Sequence, residues 1–393
     1  MRPVQYNLTR QDVEECATTI LQDAIGLKDQ GRKCKASVLW HILLYAAARI
    51  TSLFDACTRL RNAPGDDAVR KALRASLPSI DELEDRLNAG LVDCLPPRLL
   101  GKRRRWRLTI DLTLIPYHGE PQHDPAEVYR GQAKSGTTHF HAYATCYLVH
   151  RGRRFTLAKT RVTLGTPMAD VLRRLLGRVR AAGIKPQLLL LDRGFYSVEV
   201  VRYLQAARVP FLMPAVLRGR RPDDPRGPSA TQVFAATRHS GWSTYAWRNA
   251  EGQQATVSVC MAVTYRRRRH RKRRRITLVY VYWGCQPPSP HWVRETYRQR
   301  FGIESSYRQM NQARIRTCTR DPLLRLLFVG IALILRNVWV WLHLEVLSTP
   351  RRGQRDLRLD KLPFRTMLLW LIHLVEEVLG VHDATQAYAP TDL

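Results

Sequence analysis

No two of the eight cysteines in this chain are spaced as Cys-x-x-Cys; they lie scattered at 16, 34, 57, 94, 146, 260, 285 and 318. That argues against a zinc module and against a disulfide scaffold, and it fits a reducing cytosol. The opening stretch "MRPVQYNLTRQDVEEC" has no apolar core, so no signal peptide is expected there. Long apolar runs are also scarce. The strongest, "LLFVGIALIL" at 326–335, is closed by Arg336 and Asn337. It is too short to span a bilayer and is expected to form a buried helix, so no membrane partner is expected. Acid is in shortest supply: 33 Asp and Glu stand against 64 Lys and Arg, a formal charge of +31. Such a surplus favours a polyanion, most often nucleic acid, and arginine suits bidentate phosphate contacts. With 45% apolar residues in 393, the chain is expected to be globular, with two or three domains. The expected location is the cytoplasm, in association with the nucleoid through DNA.

Periodicity divides the chain into five stretches. Residues 1–98 read as an N-terminal helical domain. Within it "SLFDACTRLRNAPGDDAVRKALR" has helix–turn–helix character: Ser52 caps one helix with Asp55 at its third position, "NAPG" interrupts, and Asp66 or Asp67 caps a second. Val69 and Leu73 share a face of that helix, and Arg70, Lys71 and Arg74 on its other faces are candidate DNA contacts. Residues 99–217 alternate between strand and helix patterns: three strands, helix, strand, helix, strand. That mixed run implies an α/β fold with a central sheet covered by helices. Residues 218–291 read as a β-rich insertion. It carries "RRRRHRKRRR" at 266–275, so Arg266, Arg267, Arg268 and Arg269 are candidates for clamping phosphate. Helical character returns over 292–348, and 349–393 hold a linker and a last helix.

Three acids stand out against this basic background. Asp111 lies mid-strand in "WRLTIDLTLI", Asp192 ends four successive leucines, and Glu304 sits between Arg300 and Arg308. Each has an ordinary explanation: a surface strand residue, a cap for the helix near Ser197, and an i+4 partner of Arg308. An acid at the edge of an apolar strand is nonetheless costly without a cation to meet it. Together, the three have the layout of a metal-dependent nucleic-acid phosphotransferase. Two Mg²⁺ ions about 3.5–4 Å apart need several carboxylates, one ion activating the attacking oxygen and the other stabilising the leaving oxygen.

Asp111, "LLLLDRGFY" at 188–196, and the spacing Tyr297-x2-Arg300-x3-Glu304 resemble the DDE transposases of prokaryotic insertion sequences. More narrowly they resemble the group with a Tyr-Arg-Glu-Lys signature after a β insertion. The resemblance covers about residues 100–345. It implies an RNase H-like catalytic core, a mixed five-stranded sheet flanked by helices and interrupted by the all-β insertion. It also implies a metal-binding, catalytic triad of Asp111, Asp192 and Glu304 holding two Mg²⁺ ions, with Mn²⁺ as a substitute. Tyr297 and Arg300 would contact phosphate near the cleaved end, with Arg308, Arg193 and Lys134 as further DNA contacts. Where the signature has lysine, this chain has Asn311. On one continuous helix, at about 100° per residue, positions 297, 300, 304 and 311 fall within about 60° of arc. The implied activity is cut-and-paste transposition: cleavage at the terminal inverted repeats of double-stranded DNA, a possible hairpin intermediate, and strand transfer into target DNA by a homodimer. Two alternatives stay open: a transposase-derived DNA-binding regulator that no longer cuts, and another RNase H-like nuclease such as a junction resolvase.

Overall fold

A computed structural model describes residues 7–100, 105–121, 123–150, 154–266, 274–351 and 354–382. The chain divides into two compact units, one formed by Met1–Pro96, Gly119–Pro125 and Tyr307–Leu393 and the other by Pro97–His118 and Ala126–Ser306.

The first unit is helical. It holds α1 (Arg10–Ile25), α2 (Ala36–Arg49), α3 (Leu53–Arg59), α4 (Asp66–Ser76) and α5 (Ile80–Asp93). Hydroxyl caps open α1, α3 and α5: Thr9, Ser52 and Ser79 each accept a backbone N–H from their own first turn. The N-cap of α4 is Gly65, and Asp66 and Asp67 lie in its first turn, one step inside the expected cap. There they still complement the positive end of the helix dipole. Two later helices complete this unit. The apolar stretch at 326–335 proves to be the centre of a longer helix, starting at Pro322 and running through a final π turn to Val346. At 25 residues with mean hydropathy 2.0, it is long and apolar enough to cross a membrane, yet it is 94% buried inside the protein. It is a core helix. A Cβ on its Gly330 would lie 2.5 Å from the Leu87 side chain, so the glycine lets the helix and α5 approach closely.

The second unit is built on a sheet. Its strands are β1 (Arg105–Pro116), β2 (Tyr129–Lys134), β3 (Thr137–Val149), β4 (Thr156–Val162), β5 (Lys185–Leu191), β6 (Phe211–Pro214), β7 (Gly241–Arg248), β8 (Gln254–Arg266) and β9 (Arg274–Trp283). Pairing gives the order β2-β3-β1-β5-β6-β9-β8-β7, with β4 also on the outer edge of β3. Strand β5 runs parallel to β1, and β6 parallel to β5; β3 is antiparallel to β1. The run Leu188–Leu191 is apolar throughout because both faces are covered, and all four leucines are buried. Helix α6 (Met168–Ala181) packs on β3 and β4, and α7 (Val198–Ala206) on β8.

The expected five-stranded sheet is therefore too small. The five strands are present, as β4-β3-β1-β5-β6, but among the described residues the sheet has nine. Strands of the expected insertion join it because β6 offers an open edge and β9 pairs there, Phe211 opposite Trp283 and Pro214 opposite Tyr280. Pairing satisfies backbone groups that an open edge would leave exposed. One apolar cluster, including Leu188, Leu190, Leu212, Cys260 and Tyr280, spans both parts. Lys134 lies in a strand of its own, β2, rather than in a loop before β3.

Candidate active site

The site begins with a register. Strands β1 and β5 are parallel, and Ile110 is paired with Leu191. The next residue on each strand is an acid, Asp111 on β1 and Asp192 just past β5. Two sequence positions 81 residues apart thus become neighbours, one in the middle of β1 and one at the carboxyl end of β5, bonded beneath by the Thr109 hydroxyl, which donates to the Leu190 carbonyl at 3.1 Å. Asp192 does not cap the following helix, as its ordinary explanation would have it. Ser197 takes that role, accepting from Val200 N–H.

What meets the two acids is Arg300. Its Nη1 donates to Asp111 Oδ2 at 3.0 Å and its Nη2 to Asp192 Oδ1 at 3.1 Å. The third donor, Nε, goes to the Tyr297 hydroxyl at 3.0 Å. The arginine side chain is 8% exposed and that of Asp111 17%, whereas Asp192 is 43% exposed. Burial raises the Asp111 pKa; Arg300 pulls it down, Asp192 pushes it up, and the Leu112 N–H bond pulls it down, leaving it above its ordinary 3.8. Burial likewise pushes the Tyr297 phenol up.

Local structure explains why Arg300 can reach. Helix α9 (Pro290–Arg298) is capped by Ser289 and opened by Pro290. It ends in a 3₁₀ turn, Gln299–Phe301, and a new helix, α10 (Gly302–Asn311), follows. The tighter turn stacks Arg300 over Tyr297, its guanidinium carbon 5.7 Å from the ring centroid. The continuous helix assumed for the 60° arc is thus broken between Tyr297 and Glu304. Arg308 and Asn311 are exposed on the last part of α10, which belongs to the helical unit.

Glu304 is exposed on α10, and among the described residues no three His, Cys, Asp or Glu side chains come together as a metal ion would need. Asp111 and Asp192 do fit a divalent cation. Both are hard oxygen donors, and both already converge on one cationic group, the Arg300 guanidinium.

Beside the pair lies a cleft of about 580 Å³. Its walls combine Asp192, Arg193, Arg294, Arg298 and Arg300 with apolar Leu217, Tyr280 and Phe301. Arg193 is exposed there, and Lys134 is exposed on β2. Arg266 ends β8 opposite Arg274; Arg267, Arg268 and Arg269 lie outside the described residues. In the helical unit, Lys71 is exposed. Arg70 is bonded to Asp66 and Asp67 at 2.7 and 3.1 Å, and Arg74 to Asp321 at 2.8 Å. Those two arginines spend their charge internally, a cost to any phosphate contact there.

One contributor was missed in the sequence. Tyr196, which closes "LLLLDRGFY", stacks on Trp247 of β7 with centroids 5.0 Å apart and planes 8° from parallel. Trp247 stacks in turn on Tyr245. The stack ties the 3₁₀ turn after Asp192 to a strand of the expected insertion. The signal was an aromatic directly after the acid motif, but its partner lies 51 positions away. Trp242, by contrast, is 43% exposed.

Residues 102–338, more than half of the chain, match the family described as "Transposase DDE domain". No curated protein matches the chain.

Proposed function

The chain belongs to the DDE-domain transposases, and on that premise we propose that it cleaves DNA at transposon ends and joins the freed ends to target DNA. The observation that carries this reading is the convergence of Asp111 and Asp192 on Arg300 inside the matched region. The strand order β4-β3-β1-β5-β6, with acids following paired residues of β1 and β5, supports an RNase H-like core. Asp111, Asp192 and Glu304 would hold two Mg²⁺ ions, with Mn²⁺ as substitute. When bound, such ions supply the charge that activates an attacking oxygen and stabilises a leaving one.

The chain's own residues supply positioning and charge. Arg300 exchanges partners on this reading: it leaves the two carboxylates for a phosphate near the cleaved end, with Tyr297 bracing its Nε. The carboxylates are then free for metal, and α10 brings Glu304 toward them when DNA is bound. Arg193, Arg294 and Arg298 line the adjoining cleft with positive charge for the backbone of the same strand. Arg308, Asn311, Lys134, Lys71 and the basic run of sequence at 266–275 are further DNA contacts in the proposal, and the N-terminal helices help to bind the inverted repeats. Excision by cut-and-paste through a hairpin, in a homodimer holding two ends, is the route proposed.

The test is cleavage of the element's own terminal duplex by purified protein with Mg²⁺ or Mn²⁺, beside Glu304→Gln. Metal-dependent nicking by the natural protein and loss of at least a hundredfold in the variant, with unchanged DNA binding, are expected. The position of Glu304 outside any three-carboxylate group favours one rival, a DNA-binding derivative that does not cut. Tight binding without nicking by the natural protein would establish that rival. Nicking without strand transfer into a target duplex would favour a nuclease such as a resolvase.

A further inference from the structure

A second basic cleft, of about 560 Å³, opens near the start of β1, away from the Asp111–Asp192 pair. Its walls carry Arg105, Arg107, His150 and Arg154, with Gln187 and Gln299, and no acid among the described residues. Arg107 is held by neutral partners: it donates to Gln299 Oε1 at 3.1 Å and lies 5.7 Å from the centre of the Trp292 ring. A guanidinium oriented in this way is fixed in direction but keeps its charge for an external anion.

The cleft is also built into the candidate site. Arg107 and Asp111 share a face of β1, four residues apart, which is about 13 Å along the strand. The 3₁₀ turn bridges that gap: Gln299 meets Arg107, and the next residue, Arg300, meets Asp111. The Arg154 guanidinium fills the space a Cβ on Gly302 would need, at the first residue of α10 and two before Glu304. Burial lowers the Arg154 pKa, a penalty that a bound anion would offset.

We propose that this cleft binds a non-scissile phosphodiester of the DNA, a fixed distance along the backbone from the phosphate that is cut. The inference rests on the transposase reading for the identity of the anion. With 3.4 Å of rise per nucleotide and the winding of each strand about the duplex axis, about 13 Å in a straight line corresponds to a phosphate about two nucleotides from the cleaved one. Two arginines and a half-buried third there neutralise charge without reading bases, so the contact sets register rather than sequence.

The experiment measures binding of the terminal inverted-repeat duplex and of a random-sequence duplex across a salt series, for the natural protein, Arg105→Gln, Arg105→Gln with Arg107→Gln, and Arg221→Gln as an exposed control. The double variant is expected to bind about tenfold more weakly and to lose about one unit of log–log salt slope on both duplexes, as one phosphate contact requires; Arg105→Gln loses part of that and the control none. Methylphosphonates placed singly along the terminal duplex should weaken the natural protein at a position about one to three nucleotides from the cut, and have no effect there on the double variant. An unchanged slope and an unchanged methylphosphonate profile would overturn the inference. A natural protein without preference for the terminal duplex defeats the transposase reading instead, and the slope on random DNA still decides the cleft.

Discussion

Replacing Arg300 with methionine removes the guanidinium bonded to both Asp111 and Asp192 while keeping most of the side-chain volume. The size of the effect follows from burial. Removing one partner of a buried ion pair costs about 3–5 kcal/mol, because a charge is left unpaired in a poorly solvated place. Asp111 keeps 17% exposure, so the low end, about 3 kcal/mol, applies. Asp192 is 43% exposed, and water screens it enough that its share stays below about 1 kcal/mol. The loss carries a pH signature. The folded-state pKa of Asp111 is already raised above its ordinary 3.8 by burial. Its ionisation therefore opposes folding, and stability falls as pH rises from that ordinary value through the folded one. Without Arg300 the opposing pull is gone, the folded pKa rises further, and the window extends upward. Urea unfolding of Arg300→Met should thus show a loss of about 3 kcal/mol near pH 7.5 and a clearly smaller one near pH 4.5. Adding Asp111→Asn should restore most of the stability at the higher pH. Mg²⁺ should also raise the melting temperature of Arg300→Met more than that of the natural protein, since cation and guanidinium compete for the same oxygens. Equal losses at both pH values, or no rescue by Asp111→Asn, would refute the reasoning.

Three further substitutions probe the supports of the site and the core. The Tyr196 hydroxyl is buried with no hydrogen-bond partner among the described residues, so Tyr196→Phe should raise stability by about 1 kcal/mol in urea unfolding. Trp247→Ala, which removes the stacked ring itself, should cost about 3 kcal/mol in the same assay. Gly330→Ala sets two effects against each other: alanine gains about 1 kcal/mol of helix propensity, but its Cβ meets Leu87 at 2.5 Å. Overpacking of about 1–3 kcal/mol should win, giving a lower melting temperature; a higher one would mean that Leu87 can yield without cost.

Much of the secondary structure was legible in local patterns. The alternation in "WRLTIDLTLI" and the four leucines before Asp192 became β1 and β5, and Ser52 caps a helix as its pattern indicated. Strand β2 escaped because "YRGQAK" is polar, mostly exposed, and held chiefly by pairing with β3. The 3₁₀ turn at Gln299–Phe301 escaped because residue spacing looks the same on either side of a local tightening. For the site, Asp111, Asp192, Tyr297 and Arg300 were each singled out from their motifs, but nothing in those motifs showed that without DNA Arg300 meets both acids.

The basic charge surplus, the acids and their motifs, and the kind of element carrying each are properties of short windows of chain, where composition and periodicity of 2 or 3.6 act directly. The neighbourhood of Asp111 and Asp192 is different in kind. It depends on β1 and β5 pairing in parallel with Ile110 against Leu191, and a slip of one residue would turn an acid to the opposite face. The same holds for the edge of β6, which took up β9 and merged the expected insertion with the central sheet, and for Arg154 over Gly302. Register, edge pairing and desolvation arise only when distant segments meet, so no window of the sequence contains them.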